Sequence, residues 1–283
     1  MAEPALLEDP NVDSPQAAPD RDVVIEVRDL VTHYGPREIL HSVSLDVYQG
    51  ETLVIMGGSG SGKTTFLNAL LGLVKPTSGY VRLLGQDLNG IDGVARTKLR
   101  QKMGVAFQSG ALFTSMNVLQ NIMLPLREHT TLDETTMQIM ARLKMEVVNL
   151  SGFDNLMPAE LSGGMIKRAA FARAIVMDPR VLFCDEPSAG LDPVVASAID
   201  DLIIDLRDAM GMSIVVVTHE LESAFKIADR ICVLDQGNIL MVGTVEEVKA
   251  SDNERIQNLL NRRTEEEVLD PDEYLRRLTA AKD

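Results

Sequence analysis

The chain has 283 residues, of which 45% are hydrophobic and 24% charged, so it contains enough apolar material for one large or two modest globular domains. Its 27 Lys and Arg residues against 42 Asp and Glu residues leave a net charge of −15. A chain this acidic repels phosphate backbones, which argues against general nucleic-acid binding.

Residues 1–22 form a Pro- and Ala-rich acidic stretch in which Arg21 is the single basic residue. This composition predicts a disordered leader, because it cannot bury enough apolar surface to fold. The stretch lacks a basic start followed by an apolar run, and no apolar run in the chain approaches the roughly 18 residues of a membrane span. We therefore expect a cytoplasmic protein.

The first predicted strands, residues 23–27 and 43–47, are short and rich in β-branched side chains, which favours an antiparallel sheet at the front of the chain. Residues 52–56, 181–184 and 214–217 are almost continuously apolar, as strands buried on both faces are. Helical patterns lie between them, so the alternation predicts a parallel sheet covered by helices. Cys184 and Cys232 lie inside apolar runs, which favours small buried side chains over a disulfide or a zinc site.

Residues 109–180 have a helical texture and predict an inserted helical subdomain. Thr131 and Glu134 fit a capping box. The apolar residues that follow at helical spacing, predicted to form one packing stripe, are Met137, Met140, Leu143, Val147 and Leu150.

The residue pattern of the C-terminal part of the chain predicts a β-hairpin followed by helices. Strands at 231–234 and 239–242 flank a turn that we assign to Gly237-Asn238. Thr244 with Glu247 and Thr264 with Glu267 predict two further capping boxes. We expect residues 251–283 to form a helical tail that docks on the domain or binds a partner.

A glycine-rich stretch directly after the apolar strand 52–56 matches G-x-x-x-x-G-K-[ST], the pattern of a phosphate-binding loop. This phosphate loop consists of Gly57, Gly58, Ser59, Gly60, Ser61, Gly62, Lys63 and Thr64, with Thr65 opening the predicted helix. Its backbone N–H groups would surround phosphates, the Lys63 ammonium would reach the β- and γ-phosphates, and the Thr64 hydroxyl would face Mg²⁺. The alternative is a glycine-rich turn that matches the pattern by chance.

Two adjacent carboxylates, Asp185 and Glu186, follow the apolar strand 181–184. Ligands of open parallel sheets bind at this end of the strands. Asp185 would hold Mg²⁺, directly or through water, and Glu186 would act as general base toward an attacking water. A strand that ends in a solvated acidic turn has the same pattern.

The stretch Leu161-Ser162-Gly163-Gly164-Met165, called here the signature segment, opens another predicted helix. Free N–H groups, the Ser162 hydroxyl and the nearby Lys167, Arg168 and Arg173 suggest a second anion-binding end. One nucleotide does not need two such ends in one chain.

Taken in this order, these motifs resemble the ATP-binding subunits of ABC transporters, and the resemblance covers the chain from about Val23 to Val248. It implies a P-loop NTPase fold of ABC type, with a parallel core sheet, an antiparallel β subdomain and an inserted α-helical subdomain. It also implies an ATP-binding domain over residues 23–250, ATP with Mg²⁺, and a head-to-tail homodimer in which the signature segment reaches the partner's ATP.

The resemblance also implies roles for four residues that a motif alone would leave as ordinary surface or strand-end residues. Tyr34 would stack on adenine, and Gln108 would contact Mg²⁺ or the attacking water. Asp192 would belong to the loop that lines the dimer seam, and His219 would contact the γ-phosphate. The family most often has Gln at the end of the signature segment, where this chain has Met165.

That methionine, together with the stretch 107–118, resembles the ATPases of bacterial Mla systems, which maintain lipid asymmetry of the outer membrane. The resemblance implies an integral membrane permease and a membrane-anchored lipid-binding protein as partners, and a position on the cytoplasmic face of the inner membrane. Three alternatives remain open: an ABC ATPase for another small substrate, a soluble ABC ATPase acting on nucleic acid or ribosomes, and a regulatory subunit that does not hydrolyse ATP.

Overall fold

The computed structural model describes residues 21–261. The predicted leader, apart from Arg21 and Asp22, lies outside the described residues, as does the tail beyond residue 261 with its capping box at Thr264. Within the described range, no helix is both long and apolar enough to cross a membrane.

Ten strands and nine α-helices are present among residues 21–261. The strands are β1 (Val23–Tyr34), β2 (Arg37–Tyr48), β3 (Thr52–Met56), β4 (Ser78–Leu83), β5 (Gln86–Asp87), β6 (Met103–Ala106), β7 (Val181–Asp185), β8 (Ser213–Val217), β9 (Arg230–Asp235) and β10 (Asn238–Gly243). The helices are α1 (Lys63–Leu70), α2 (Gly93–Arg100), α3 (Val118–His129), α4 (Glu134–Val147), α5 (Gly163–Ile175), α6 (Pro193–Met210), α7 (Leu221–Ile227), α8 (Val245–Lys249) and α9 (Glu254–Leu260), with a short 3₁₀ turn at Pro158–Glu160.

The central sheet has six strands in the order β10-β9-β3-β8-β7-β6. All neighbours in it are parallel except the edge strand β10, which pairs antiparallel with β9. Along β3, Leu53 and Ile55 join one apolar cluster, while Val54 and Met56 join the other. Successive side chains of a strand point to opposite faces, so this continuously apolar strand is buried on both sides.

The front sheet, β2-β1-β4-β5, is antiparallel as predicted. Its first two strands are longer than the predicted apolar stretches, because the hairpin continues to the pair Tyr34 and Arg37 and turns at Gly35, whose φ is 59°. Arg28 lies in the extension of β1, beyond the predicted residues 23–27, and donates to Asp46 of β2 at 2.6 Å.

The β9–β10 hairpin is confirmed, but the assignment of its turn to Gly237-Asn238 is wrong by one residue. The turn residues are Gln236 and Gly237, with φ of 44° and 79°. Two positive φ values in succession suit the twist of a two-residue hairpin.

The helical region contains α3, α4 and α5, which pack on one another, but the predicted start and stripe of α4 need correction. Asp133, not Thr131, caps the helix by accepting a hydrogen bond from the Thr136 N–H at 3.0 Å. The buried positions of α4 are Met137, Ala141 and Met145, whereas Leu143 and Val147 are 56% and 44% exposed. The small Ala141 side chain lets the neighbouring helices approach, and a stripe chosen from large apolar residues missed it.

The C-terminal helices pack against the same core. The capping box of Thr244 and Glu247 is present at α8. In α9, Ile256 is 1% exposed and Arg255 pairs with Asp235 at 2.8 Å. Cys184 and Cys232 are free and buried, as predicted, and burial raises the pKa of both thiols.

A buried carboxylate, Asp200 of α6, is linked through Ser223 of α7 to Ser188, which follows β7. Asp200 is 3% exposed and accepts a hydrogen bond from Ser223 Oγ of α7 at 2.9 Å, and Ser223 Oγ lies 3.1 Å from Ser188 Oγ. The other carboxylate oxygen of Asp200 has no hydrogen-bond partner among residues 21–261. Burial therefore raises the pKa of Asp200, and the charged form costs stability at neutral pH.

We expect Asp200→Asn to raise the free energy of unfolding at pH 7 by about 1 kcal/mol. The pKa of Asp200 is higher in the folded than in the unfolded protein, so its contribution to stability is complete below the unfolded-state pKa and is lost as the pH rises through the folded-state pKa. Near pH 4, the usual pKa of an aspartate, the parent no longer bears the cost of the buried charge, and the advantage of the variant should vanish. Denaturant unfolding at both pH values measures this. Asp205→Asn, a change at an exposed position of the same helix, is the matched control. An Asp200→Asn protein less stable than the parent at pH 7 would contradict the expected effect.

Candidate active site

Parallel pairing brings three chain segments to one edge of the central sheet. In register, Ile55 of β3 lies beside Val217 of β8, which lies beside Asp185 of β7. The residues that follow these three strands are therefore neighbours at the carboxyl edge. They are the phosphate loop, the pair Thr218-His219, and Glu186.

The phosphate loop ends in Gly62, whose φ is 104°. Only glycine adopts this backbone conformation without strain, and it lets α1 begin at Lys63, two residues before the predicted start at Thr65. Within the described chain no side chain caps α1, so its first N–H groups remain available as donors to an anion. Thr64 is exposed in this first turn and Thr65 is buried.

Lys63 folds back over its own loop, where its Nζ donates to the carbonyl oxygens of Gly57 and Gly58, both at 2.8 Å. Burial lowers the pKa of Lys63, and the nearby carboxylates of Glu186 and Asp185 oppose that shift. The ammonium is therefore bound to its own loop and is close enough to the two carboxylates for their charges to affect its pKa.

The loop is also sterically tight at its start. A Cβ on Gly57 would lie 2.1 Å from the Leu234 carbonyl oxygen and 2.6 Å from Ser61 Oγ. Ser61 is 3% exposed, and its hydroxyl has no hydrogen-bond partner among residues 21–261. The phosphate loop is therefore closed by backbone atoms on one side and keeps free donors on the other. This arrangement fits a bound phosphate group.

Glu186 is the buried carboxylate of the pair, at 8% exposure, and its φ is 47°. Its Oε1 lies 2.7 Å from His219 Nδ1, and its Oε2 accepts a hydrogen bond from Thr218 Oγ1 at 3.0 Å. Because an ionised carboxylate only accepts, the contact places a hydrogen on Nδ1 of His219. Thr218 is a site residue that the motifs missed, and its position directly before His219 is the signal for it.

Asp185 ends β7 and is half-buried. Burial raises the pKa of Asp185, the charge of Glu186 adds to that shift, and Lys167 and Lys63 oppose it. A cation placed against this carboxylate would remove the cost of its charge.

Gln108 lies just beyond β6, with an exposed side chain. Its backbone carbonyl accepts a hydrogen bond from Lys167 Nζ at 2.5 Å, and the same ammonium donates to the Glu186 carbonyl at 2.8 Å. Gln108 is thus joined to the carboxylate region through a lysine of α5.

The basic residues of α5 do not form the predicted anion-binding end. Lys167 is bound to the two carbonyls above, Arg168 donates to the Val148 carbonyl at 2.9 Å, and Arg173 donates to the carbonyls of Gly110 and Ala111 at 2.8 and 2.7 Å. These side chains leave α5 one turn or more beyond its N-terminus and turn into the protein. Because these side chains are long, they reach main-chain carbonyl oxygens inside the protein. The sequence pattern did not reveal these contacts.

The signature segment lies against the start of α6. Ser162 caps α5 by accepting from the Met165 N–H at 3.3 Å, and a Cβ on Gly164 would lie 2.6 Å from Val195 Cγ1. Asp192 caps α6, accepting from the N–H groups of Val194 and Val195, both at 3.1 Å. Ser162, Gly163 and Asp192 are exposed, so the two predicted dimer-seam elements lie together on the surface.

A cavity of about 280 Å³ opens beside the phosphate loop, lined by Arg37, Ile39 and residues 60–65. Tyr34, 52% exposed, pairs with Arg37 across the β1–β2 hairpin but is not among the residues that line this cavity. Arg37 and Ile39 are lining residues that the motifs did not identify; their closeness in sequence to Tyr34 is the available signal.

Comparison with known proteins agrees with this geometry. The family model described as ABC transporter matches residues 40–189. The chain belongs to the ABC transporter family. This confirms the predicted ABC-type P-loop fold, and the chain is an ATP-binding ATPase subunit of that family.

Two curated relatives and one solved structure illustrate the range of similarity. The intermembrane phospholipid transport system ATP-binding protein MlaF of Haemophilus influenzae is 39% identical over 84% of this chain and 90% of its own length. The probable ribonucleotide transport ATP-binding protein mkl of Mycobacterium leprae is 39% identical over 85% of this chain and 70% of its own. A dimeric ATP-binding cassette solved in a post-hydrolysis state with ADP and Pi is 31% identical, with a TM-score of 0.71 over 78% of this chain and 98% of that one.

The closed side of the phosphate loop generates a stability prediction. Gly57→Ala should lower the free energy of unfolding by about 1–3 kcal/mol, because the new methyl group would overlap the Leu234 carbonyl oxygen. Gly58→Ala is the matched control, since nothing lies within 4 Å of a Cβ there. Denaturant unfolding of both variants without nucleotide measures the difference, and equal stability of the two would refute the close approach at Gly57.

Proposed function

We propose that this chain is the ATP-hydrolysing subunit of an ABC transporter that moves phospholipid between membranes and so maintains outer-membrane lipid asymmetry. The observation that carries the catalytic part is the buried Glu186 carboxylate, held by Thr218 and His219 beside Lys63 of the phosphate loop. The domain responsible would be residues 23–250, with its helical subdomain at about 109–180.

Nucleotide binding would begin with the phosphate loop. The free N–H groups of α1 and the loop glycines receive phosphate oxygens, while the Lys63 ammonium exchanges the carbonyls of Gly57 and Gly58 for the β- and γ-phosphates. Tyr34, which is exposed and pairs in register with the lining residue Arg37, would stack on the adenine.

Hydrolysis would use Glu186 as general base. The carboxylate takes a proton from water while the water oxygen forms a bond to the γ-phosphorus and the bond between that phosphorus and the bridging oxygen breaks, which leaves ADP and phosphate. The hydrogen bonds from Thr218 and His219 fix the carboxylate in orientation, and His219, 57% exposed, can turn its other ring nitrogen toward the γ-phosphate.

The donors around the site fit Mg²⁺. The Thr64 hydroxyl, the Asp185 carboxylate and the Gln108 amide oxygen are hard oxygen ligands, which this ion prefers. Within residues 21–261 no cluster of three or more His, Cys, Asp or Glu side chains could hold a metal alone, which suits an ion held largely by phosphate and water. When bound, Mg²⁺ would supply positive charge against the β- and γ-phosphates.

A head-to-tail homodimer would complete the site. Ser162, Gly163 and Gly164 lie against α6 beside Asp192, not among the residues that line the phosphate-loop cavity. The exposure of Ser162 and Gly163 supports a role toward the nucleotide of a second copy, and the similar cassette with ADP and Pi is dimeric.

A groove next to Gln108 supports docking of an integral membrane permease. Its volume is about 470 Å³, and its lining includes Phe107, Phe113 and Pro125 between β6 and α3. Phe107 and Phe113 are 40% and 52% exposed, which is unusual for side chains without an occupant. The chain would then act at the cytoplasmic face of the inner membrane, together with a membrane-anchored lipid-binding protein and without nucleic acid.

The cargo has a second candidate, because the mycobacterial relative named for ribonucleotide transport is as similar in identity as the phospholipid-transport relative. Coverage favours phospholipid, since this chain spans 90% of the Haemophilus protein and 70% of the mycobacterial one.

Glu186→Gln should retain ATP binding but lose hydrolysis by about 10²- to 10⁴-fold and accumulate an ATP-bound dimer, because the amide cannot accept the proton. Lys63→Ala should instead weaken nucleotide binding itself. Phosphate release, nucleotide titration and size-exclusion chromatography with ATP separate these outcomes. Glu222→Gln, an exposed change of the same chemistry, is the control, and a Glu186→Gln protein that turns over normally as a monomer would remove Glu186 from the role.

The cargo is tested by purifying the tagged chain with its partners from detergent-solubilised membranes of its host. We expect a multi-span permease and a single-span lipid-binding protein, whose reconstituted complex exchanges labelled phospholipid in an ATP-dependent manner that Glu186→Gln abolishes. Transport of a labelled ribonucleotide instead would replace phospholipid as cargo, and recovery of ribosomes or nucleic acid without a membrane protein would overturn the transporter proposal.

A further inference from the structure

Lys167 of α5 joins three parts of the chain that are distant in sequence. Its side chain is 7% exposed, and its Nζ donates to the carbonyl oxygens of Gln108, at 2.5 Å, and Glu186, at 2.8 Å. The first carbonyl follows β6 and the second follows β7, while the lysine itself lies on the signature helix. One buried ammonium therefore connects α5 to two residues proposed to act on ATP.

Such a position is costly for a lysine. Burial lowers the pKa of Lys167, and the charges of Glu186, Asp185 and Cys184 only oppose that shift. If the side chain served only to fill space, an apolar residue of similar length would do so without desolvating a charge. The cost of burying the Lys167 charge is explained if its hydrogen bonds to the two carbonyls are required by the protein.

The carbonyl at Glu186 belongs to a strained residue. A backbone φ of 47° is unusual for a residue other than glycine, and it persists only where the surrounding structure enforces it. The Glu186 N–H donates to the Val217 carbonyl at 2.8 Å, and Lys167 holds the opposite end of the residue. Lys167 thus helps to set the direction in which the Glu186 carboxylate leaves the backbone.

The rest of α5 holds the segment after Gln108 in the same way. Arg173 donates to the carbonyls of Gly110 and Ala111, and Ile166 lies so close to Gly110 that a Cβ there would be 2.6 Å from its Cγ2. A shift of α5 must therefore carry residues 108–111 with it.

We propose that Lys167 is a positioning residue that transmits the placement of the signature segment at the start of α5 to Gln108 and Glu186. This inference rests on the proposed function, in which the signature segment touches the partner's ATP while Gln108 and Glu186 act on the chain's own. Engagement of one nucleotide would then align the catalytic groups for the other.

The test uses the full-length chain and Lys167→Met, which keeps the length of the side chain and removes its donors. We expect kcat to fall at least about tenfold while the KM for ATP stays within about twofold, because Lys167 does not contact the phosphate loop that holds the nucleotide. Arg168→Met is the matched control, since Arg168 is the next residue of α5 and also bonds a main-chain carbonyl, but one at Val148. The proposal would be overturned if both variants lost kcat equally, or if Lys167→Met had the same kcat as the parent.

A double-mutant cycle with Ser162→Ala separates transmission from a structural role. If Lys167 carries the effect of the signature segment, Ser162→Ala should reduce kcat by a smaller factor in the Lys167→Met background than in the parent, and by the parent factor in the Arg168→Met background. Multiplicative effects of Ser162→Ala and Lys167→Met would contradict transmission. Should Lys167→Met fail to fold or turn over too slowly to measure, Lys167→Gln, whose shorter amide cannot span both carbonyls, takes its place in the same cycle.

The two proposals fail in different ways. A parent chain that does not hydrolyse ATP, or whose hydrolysis survives Glu186→Gln, refutes the proposed function. A parent that hydrolyses ATP through Glu186 while Lys167→Met behaves like Arg168→Met refutes the role of Lys167 alone.

Discussion

The parallel pairing of β3, β8 and β7 is the constraint on which the rest of this structure depends. Parallel strands end at a common edge, and the register places Ile55, Val217 and Asp185 side by side. The phosphate loop, Thr218-His219 and Glu186 come next in each strand and meet for that reason. Because both faces of these strands are apolar, the sheet is held from two sides and its edge is rigid.

Charge in the site is balanced locally, although the chain as a whole is acidic. The charges of Asp185 and Glu186 act on two lysines, Lys63 of the phosphate loop and Lys167 of α5, and oppose the lowering of each lysine's pKa by burial. Each of the two lysines is partly desolvated, and each donates to main-chain carbonyls. Their functions differ, since Lys63 faces an open cavity where a phosphate can replace the carbonyls, whereas Lys167 is enclosed and keeps its partners.

Helix α5 has a different character at its two ends. Its N-terminus, with Ser162 as cap, is exposed beside Asp192 on the surface. Its middle and C-terminal parts carry Lys167, Arg168 and Arg173, each of which donates to main-chain carbonyls inside the chain. A helix with one end open to a second molecule and the other fastened to the catalytic segments is suited to transmit a displacement.

The sequence by itself determined the family, the buried strands that precede the site and the chemical groups of the site, because these depend on local patterns. A Gly-rich loop after a buried strand, two carboxylates after another and the signature segment are each contiguous, so spacing and residue type identify them. Their roles at the site stay predictions, which the chemistry of Lys63, Glu186 and His219 supports.

Only the tertiary structure decided which groups touch. It showed that Thr218 holds Glu186, that Arg37 and Ile39 line the cavity, and that Ala141 marks the buried face of α4. It also showed that the basic residues of α5, which the sequence suggested as part of an anion-binding end, donate to main-chain carbonyls. Such contacts join residues far apart in sequence, and a long flexible side chain such as lysine can reach in several directions, so its partner is set by packing and not by the pattern around it.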